Sequence, residues 1–152
     1  MKKLLIFSLL IIFVLAVLYF QSKKNTNTYT IDIDINGTNY NLEIAKTILE
    51  KSRGLSKRSE LCPTCGMIFV YQTEGVYPFW MKDTLIPLDI IWLDKNGKVV
   101  DIKTGKPNDL TPLTNSAPAQ YIIELNPNVS GLKIGDIIDF PVQTGLKPVS
   151  TN

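Results

Sequence analysis

The sequence predicts a mainly β (α+β) fold: a compact antiparallel domain, barrel-like or sandwich-like, with one short helical segment and a transmembrane helix in front of it. Three observations predict this fold class. Apolar and polar residues alternate over short stretches, as they do in half-buried strands. Two hairpin-like stretches contain Asn-Gly, the dipeptide favoured in tight turns. A long apolar run near the N-terminus has the composition of a membrane helix.

The apolar run covers residues 4–20, LLIFSLLIIFVLAVLYF, and contains Ser8 as its one clearly polar side chain. At about 1.5 Å per residue it spans roughly 25 Å as a helix, slightly less than the ~30 Å hydrocarbon core of a bilayer. The bulky residues that follow do not suit a signal-peptidase site, which requires small side chains. We therefore predict that residues 1–24 form an uncleaved membrane anchor and its flank.

Lysines flank this run on both sides, as Lys2 and Lys3 before it and Lys23 and Lys24 after it. The free amino terminus tips the balance of positive charge toward a cytoplasmic N-terminus. The rest of the chain would then lie outside the cytoplasm, where cysteine pairs oxidise. The alternative is the opposite orientation, with the domain in the cytoplasm.

Behind the anchor we expect a linker at residues 25–29, one globular domain at residues 30–142 and a loose tail at residues 143–152. The chain has a net charge of +2, but four of its 16 basic residues flank the anchor, so acidic residues outnumber basic ones in the domain. No basic patch argues for a nucleic acid as partner. The chain contains no histidine, which excludes histidine-based catalytic triads.

The first elements predicted in the domain are a hairpin and a short helix. Isoleucines alternate with aspartates up to Asn36-Gly37, and the alternation resumes from Tyr40. This pattern predicts two strands joined by a tight turn. Residues 47–61 change to a helical period and predict a short helix interrupted at Gly54.

The remaining strands are predicted from apolar runs between turn residues. GMIFVYQ (66–72) predicts a buried strand, and VYPFWMKDT (76–84) predicts another in which Pro78 marks an edge or a bulge. LDIIWLDKNGKVVDIK contains Asn-Gly in its middle and predicts a second hairpin. QYIIELN and DIIDFPV predict further strands, with residues 103–118 as the long loop before them.

The first hairpin also carries a string typical of calcium-binding loops, DIDINGTNYNLE (32–43), with oxygen-bearing side chains at Asp32, Asp34, Asn36 and Glu43. A tight turn would fold these oxygens round one ion, and Glu43 would close the shell. No helical pattern precedes the string, however, and its apolar residues alternate as in a strand. We therefore favour the alternative, in which the carboxylates face solvent on the hairpin.

Both cysteines of the chain, Cys62 and Cys65, lie in CPTCG after the predicted helical segment. Redox CxxC motifs place the first cysteine at a helix N-terminus, whereas this pair precedes an apolar strand. A zinc site would need two further ligands from carboxylates or from a second chain. We favour a structural disulfide, worth about 2 kcal/mol for so short a loop, over a redox pair or a zinc site.

The stretch YPFWMKDTLIPLDIIWLD (77–94) places polar residues within a dense apolar cluster. Charged side chains beside aromatic rings are able to line a pocket for a small polar ligand. The candidate ligand-binding residues are Trp80, Lys82, Asp83 and Asp89 in this stretch, and Arg53 and Arg58 upstream of it. The alternative is that the charges form ion pairs that lock loops onto the domain. No residue is assigned a catalytic role, and no metal or cofactor is predicted.

Several longer strings, GMIFVY, FWMKDTLIPLDIIWLD, SAPAQYIIELN and GLKIGDII, resemble those of the bacterial and archaeal family catalogued as domain of unknown function 192. The resemblance covers residues 30–142. It implies a compact, mostly antiparallel β fold with short helical pieces, often behind an export signal or an anchor. It implies no established reaction.

The family pattern RGLM.R..L resembles residues 53–61 of this chain, with Ser56 where the family has methionine. Asp83 stands where the family usually has asparagine. The change replaces a neutral donor and acceptor by a carboxylate that only accepts hydrogen bonds when ionised. It favours an ion pair of Asp83 with Lys82 or with a nearby arginine.

These features predict a membrane-anchored, extracytoplasmic β domain that binds a small polar ligand or another envelope protein. A binding module is favoured over an enzyme. The alternatives are a thiol-disulfide protein that uses Cys62 and Cys65, and a calcium-binding hairpin at residues 32–43.

Overall fold

The computed structural model of the chain describes residues 11–15 and 29–139. Residues 11–15 are helical, while the rest of the predicted anchor, most of the linker and the predicted tail lie outside the described residues. Within the described ranges, no helix is long and apolar enough to cross a membrane. The anchor at residues 1–24 and the domain boundaries therefore stay predictions.

The domain is built on one six-stranded sheet. Its strands are β1 (Thr30–Ile35), β2 (Thr38–Ala45), β3 (Cys65–Gly75), β4 (Leu88–Leu93), β5 (Val99–Gly105) and β6 (Ala119–Leu125). In space they follow the order β1-β2-β3-β6-β4-β5, so β1 and β5 form the two edges. Every pairing between these strands is antiparallel except that of β2 with β3, which is parallel.

The predicted fold class is confirmed in part. The domain is mainly β with one short helix, but its sheet is open instead of barrel-like or sandwich-like. The pairing of β2 with β3 is parallel, whereas the sequence predicts an antiparallel sheet. It is parallel because the connection from β2 to β3 carries the chain back along the sheet, so that both strands run in the same direction. That connection, residues 46–64, contains the helix and supplies apolar side chains to one face of the sheet.

Both predicted hairpins are confirmed, and each turn contains Asn-Gly. Between β1 and β2, Asn36 and Gly37 have φ values of 53° and 79°. Two consecutive positive φ values give the turn type that fits the twist of the strands, and Asn-Gly tolerates them well. Between β4 and β5, Gly97 has a φ of 80°.

The predicted helix is confirmed as α1 (Ile48–Arg53), which begins after Thr47 and ends before Gly54. The Thr47 hydroxyl accepts from the backbone N–H of Glu50, and the Glu50 carboxylate accepts from the backbone N–H of Thr47. This reciprocal cap satisfies two donors that a helix start leaves unpaired. Gly54 has φ 49° and ψ −140°, a conformation outside the helical region, so the helical prediction for residues 55–61 is wrong.

Two predicted strands are wrong as far as the structure describes them. Residues 76–84 form a loop, and their one ladder contact is an isolated bridge between Phe79 and Leu113. Phe79 and Met81 of this loop are buried against the sheet instead of within it, which gives the sequence a strand-like composition. In DIIDFPV, residues 136–139 contribute only a bridge between Lys98 and Ile137, and residues 140–142 lie outside the described residues.

Buried side chains form one apolar cluster on each face of the sheet. One cluster takes residues from all six strands, among them Tyr40 and Ile91. The other packs Phe69 of β3 and its neighbours on β4 and β6 against side chains from the connecting segments, including Leu55 and Phe79. We call the face that carries this second cluster the covered face. The candidate site lies there, between the two segments that cover it.

Candidate functional site

A pocket of about 80 Å³ opens on the covered face, between the end of α1 and the loop at residues 76–84. The exposed side chains around it include two charged groups and an aromatic ring, Arg53, Lys82 and Trp80. Half-buried Lys51 completes this mouth. The floor is buried and is formed by Phe69, Phe79 and Glu124.

Glu124 is the buried acidic residue of the floor. It lies on β6 between Met67 of β3 and Ile90 of β4, and it is 5% exposed. The backbone N–H of Leu55 donates to its carboxyl group, whereas Oε2 has no hydrogen-bond partner among the described residues. Burial raises the pKa of Glu124 to about 8, because lost solvation outweighs the opposing effects of the Leu55 N–H and of Arg58. The side chain is therefore mainly a neutral carboxylic acid at pH 7.

Gly54 keeps space above this carboxyl group. A Cβ atom added at Gly54 would lie 3.6 Å from Glu124 Oε2 and 3.4 Å from Cζ of Phe69. The φ of 49° and ψ of −140° at Gly54 are also unfavourable for any residue that has a Cβ. The end of α1 thus depends on glycine both for its backbone conformation and for the room it leaves over the floor.

The two lysines of the mouth lie over aromatic rings. Nζ of Lys51 is 3.9 Å from the ring centre of Tyr71, and Nζ of Lys82 is 5.6 Å from that of Trp80. The ring quadrupole attracts an ammonium at such distances and so helps to hold it in place. Burial lowers the pKa of Lys51, while the charge of Glu50 acts in the opposite direction.

The pocket is electrostatically positive. No ion pair between described residues involves Lys51, Arg53 or Lys82. Among the described residues that line the pocket, Glu124 is the one acidic group, and its raised pKa leaves it largely uncharged at neutral pH. Three cations therefore face a neutral carboxylic acid, an arrangement that suits an anionic group.

The structure brings together three of the predicted ligand-binding residues, Arg53, Trp80 and Lys82, at this mouth. Arg58 does not line the pocket. Its guanidinium donates to both carboxylate oxygens of Glu43, which is the main reason that its pKa is raised.

Asp83 and Asp89 also lie outside the pocket lining. Asp83 is exposed at a φ of 56°, and its backbone carbonyl accepts from the N–H of Lys57 over 2.7 Å. Asp89 is buried, and its carboxylate accepts from the Thr104 hydroxyl over 2.6 Å and from the Asn128 N–H over 2.8 Å. The backbone contact of Asp83 joins its loop to the segment after α1, and the carboxylate of Asp89 joins β5 and the segment after β6 to β4.

Sequence reasoning missed Glu124 and Lys51. The signal for Glu124 is a single acidic residue inside the apolar run YIIEL, on a strand with neighbours on both sides. A charged residue in a central strand is costly unless it is paired or neutral, and so it marks a candidate site. Lys51 has no comparable signal, because its place in the pocket depends on how α1 packs near Tyr71.

The predicted disulfide is confirmed between Cys62 and Cys65, whose Cα atoms are 5.1 Å apart. It joins the connection after α1 to the first residue of β3. The side-chain amide of Asn126 donates to the carbonyl of Cys62 over 2.9 Å and fixes the same corner to the end of β6. Within the described residues, no group of three or more cysteine, aspartate or glutamate side chains is arranged to hold a metal ion.

The calcium-like string forms the β1–β2 hairpin and uses its oxygen atoms within the protein. Asp32 accepts from the Asn41 amide over 2.7 Å, and Asp34 accepts from the backbone N–H of Gly37 over 3.1 Å. The carboxylate of Glu43, which would close a calcium shell, is held by arginine instead. The hairpin geometry therefore favours the solvent-facing interpretation of this string over a calcium loop.

Comparisons with known proteins agree with this fold. The family model described as DUF192, Uncharacterized ACR, COG1430, matches residues 31–140. UPF0127 protein TK1120 from Thermococcus kodakarensis is 35% identical over 83 residues, which are 55% of this chain and 52% of that protein. The match thus spans about half the length of this curated relative.

Two solved structures are also similar to this chain. A protein of unknown function from Novosphingobium aromaticivorans DSM 12444 is 31% identical, with a TM-score of 0.69, over 77% of this chain and 89% of that chain. A protein described as a candidate transcription regulator (R01717) from Sinorhizobium meliloti 1021 is 23% identical, with a TM-score of 0.67, over 74% of this chain and 92% of that chain. The second likeness shows the fold alone.

Proposed function

We propose a function from the pocket itself, because the chain belongs to the family described as DUF192, Uncharacterized ACR, and that description states no reaction. The domain binds a small anionic ligand at Lys51, Lys82 and Glu124. The observation that carries this proposal is the Oε2 atom of Glu124. It is buried in the pocket floor, and no described residue satisfies it.

The protonation state of Glu124 fits an anionic ligand. A neutral carboxylic acid donates one O–H hydrogen bond, and a carboxylate or phosphate oxygen is a strong acceptor. An ionised Glu124 would instead repel such a ligand. The raised pKa of Glu124 therefore works together with the cations of the mouth, since both favour negative charge inside the pocket.

The size and the aromatic edge of the pocket limit the ligand. A volume of about 80 Å³ is several times the ~10–15 Å³ that a cavity needs to hold one water molecule, so it admits a compact polar group. Trp80 is 56% exposed beside this opening and offers an apolar surface to the remainder of a larger molecule. A small organic acid or a phosphate ester has this combination of features.

We further propose that the domain is anchored by residues 1–24 and lies outside the cytoplasm. The apolar run at residues 4–20 supports the anchor, and the disulfide between Cys62 and Cys65 fits an oxidising compartment. The domain then binds its ligand in the cell envelope, and this ligand is either a free small molecule or an acidic group of another envelope protein.

The test is a binding titration of the full-length protein in detergent micelles with phosphate and succinate, with glycerol and succinamide as neutral counterparts. We expect the anions alone to raise the melting temperature. Lys82→Met should weaken anion binding about tenfold, the effect of losing one charge-assisted hydrogen bond.

The matched control is Lys98→Met, since Lys98 is exposed in the β4–β5 turn and does not line the pocket. It should leave anion binding unchanged. Anions that fail to bind, or binding that Lys98→Met weakens as much as Lys82→Met does, would show that the pocket does not serve this function.

A further inference from the structure

The short helix α1 exposes the apolar side chains at its start. Ile48 is 90% exposed and Leu49 is 69% exposed, and no residue of α1 is buried. A surface helix of a globular domain normally turns its apolar side chains toward the core. Two large aliphatic residues side by side in solvent point to a contact with something outside the domain.

The described range 29–139 begins close to this helix. The backbone carbonyl of Tyr29 accepts from the N–H of Ile44 over 2.8 Å, so the start of β1 lies beside the end of β2. From β2 the chain reaches Ile48 through two residues, Lys46 and Thr47. Tyr29 itself is 37% exposed. We call Tyr29, Ile48, Leu49 and the flanking Lys46 the docking patch.

The proposed anchor is tied closely to the docking patch. It ends at residue 24, and the five-residue linker 25–29 reaches at most about 18 Å when fully extended. A bilayer that holds residues 1–24 therefore lies within about 18 Å of Tyr29, at the end of the hairpin from which the chain enters α1. The membrane is thus the apolar surface that the length of the chain brings to Ile48 and Leu49.

The charges around the docking patch suit an anionic lipid surface. Lys46 lies on one side of Ile48, and Lys51 lies one helical turn after it on the same face of α1. Lys23 and Lys24 precede the linker in the sequence. Glu50 of α1 accepts from the backbone N–H groups of Thr47 and Lys46, which lower its pKa and keep it ionised, so it offsets one of these positive charges.

The opposite end of the β1–β2 hairpin carries the opposite charge. Asp34, Asp136 and Asp139 line one hollow with the exposed Ile137 beside the Asn36-Gly37 turn, and they outnumber the neighbouring cations Lys98 and Lys133. At about 3.4 Å per residue, the six residues of β1 separate this end from Tyr29 by roughly 20 Å. An anionic bilayer therefore attracts one end of the hairpin and repels the other.

We propose that the docking patch lies on the anionic surface of the bilayer that holds the anchor, with Ile48 and Leu49 at the boundary between headgroups and acyl chains. The proposal rests on the anchor proposed above. It is independent of the ligand, but it has a consequence for the pocket. Because Lys51 belongs both to α1 and to the pocket mouth, docking brings that mouth close to the lipid headgroups.

The test attaches the fluorophore NBD to Ile48→Cys in the full-length protein, reconstituted into vesicles of phosphatidylcholine and phosphatidylglycerol. Both native cysteines are engaged in the disulfide, so the new thiol is the reactive one. The matched control is Ile137→Cys, because Ile137 is 73% exposed and lies at the acidic end. Flotation of the vesicles reports separately whether the anchor holds the protein.

We expect a doxyl-labelled lipid to quench the fluorophore at position 48 at least about threefold more than the fluorophore at position 137. Aqueous iodide should show the reverse preference. Equal quenching at the two positions in protein that floats with the vesicles would overturn the docking proposal and leave the anchor in place. Protein that does not float would overturn the anchor, and the docking proposal with it.

Discussion

The guanidinium of Arg58 donates to both carboxylate oxygens of Glu43, over 2.5 Å from Nη1 to Oε1 and 2.7 Å from Nη2 to Oε2. The pair joins the segment after α1 to β2, next to the covered face of the sheet. It also occupies the carboxylate that a calcium shell would need. The contact thus engages both Arg58, a predicted ligand-binding residue, and Glu43, the last residue of the calcium-like string.

This pair is expected to stabilise the fold. In a double-mutant cycle, Arg58→Met and Glu43→Gln should each lower the free energy of unfolding, with a coupling energy of about 1 kcal/mol, because the geometry is bidentate but both side chains remain partly exposed. Chemical denaturation of the four proteins measures the coupling. Additive effects of the two changes would show that the contact contributes nothing to stability.

A second prediction concerns the disulfide. Replacing Cys62 and Cys65 together by serine should lower the free energy of unfolding by about 2 kcal/mol, the chain-entropy value for a loop of this length. Anion binding should stay unchanged, because Cys65 lies four residues before Phe69 on β3 and so about 13 Å from the pocket floor. Loss of anion binding in a variant that still unfolds cooperatively would contradict this separation between the disulfide and the pocket.

The hairpins and the start of α1 could be predicted because their signals are local. Asn36-Gly37 and the alternation on either side of it specify a turn and a register within a few residues. The helical period that begins after Thr47 is equally local. The loop at residues 76–84 could not be predicted, because Phe79 and Met81 are buried by packing onto the face of the sheet, and composition alone does not distinguish this from a strand.

The candidate site could be predicted only in part for the same reason. Arg53, Trp80 and Lys82 stand out as charged or aromatic residues in two short segments. Glu124 becomes part of the site only when β6 inserts between β3 and β4 and the segment after α1 covers it. That arrangement follows from pairings between residues far apart in the chain, such as Met67 with Glu124.

A third prediction concerns the glycine at the end of α1. Gly54→Ala should lower the free energy of unfolding by about 1–3 kcal/mol, because alanine does not readily adopt φ 49° and ψ −140°. It should also weaken anion binding, since its Cβ would lie 3.6 Å from Glu124 Oε2. Gly37→Ala is the control, because Gly37 also has a positive φ, 79°, but has open space around it. This substitution should lower the free energy of unfolding and leave anion binding intact. Equal binding by the two variants would contradict the position assigned to Glu124.

The last prediction follows from the raised pKa of Glu124. The carboxyl loses its proton near its ordinary pKa of 4.5 in the unfolded chain but keeps it up to about pH 8 in the fold. Between pH 4.5 and about 8 the carboxyl of Glu124 ionises in the unfolded chain but not in the fold. This ionisation stabilises the unfolded state, so the free energy of unfolding falls as the pH rises toward 8. The full loss is about 5 kcal/mol, since each unit of difference in pKa is worth about 1.4 kcal/mol.

Glu124→Gln should remove this fall, because an amide has no proton to lose in either state. Denaturant midpoints at pH 5, 6, 7 and 8 for the native chain and the variant measure the difference, and we expect the variant to become the relatively more stable protein as the pH rises. Glu60→Gln is the matched control, since Glu60 is exposed and outside the pocket lining, and it should keep the native pH dependence. Parallel profiles for Glu124→Gln and the native chain would mean that Glu124 is ionised in the fold, and the acidic donor proposed for the pocket floor would be wrong.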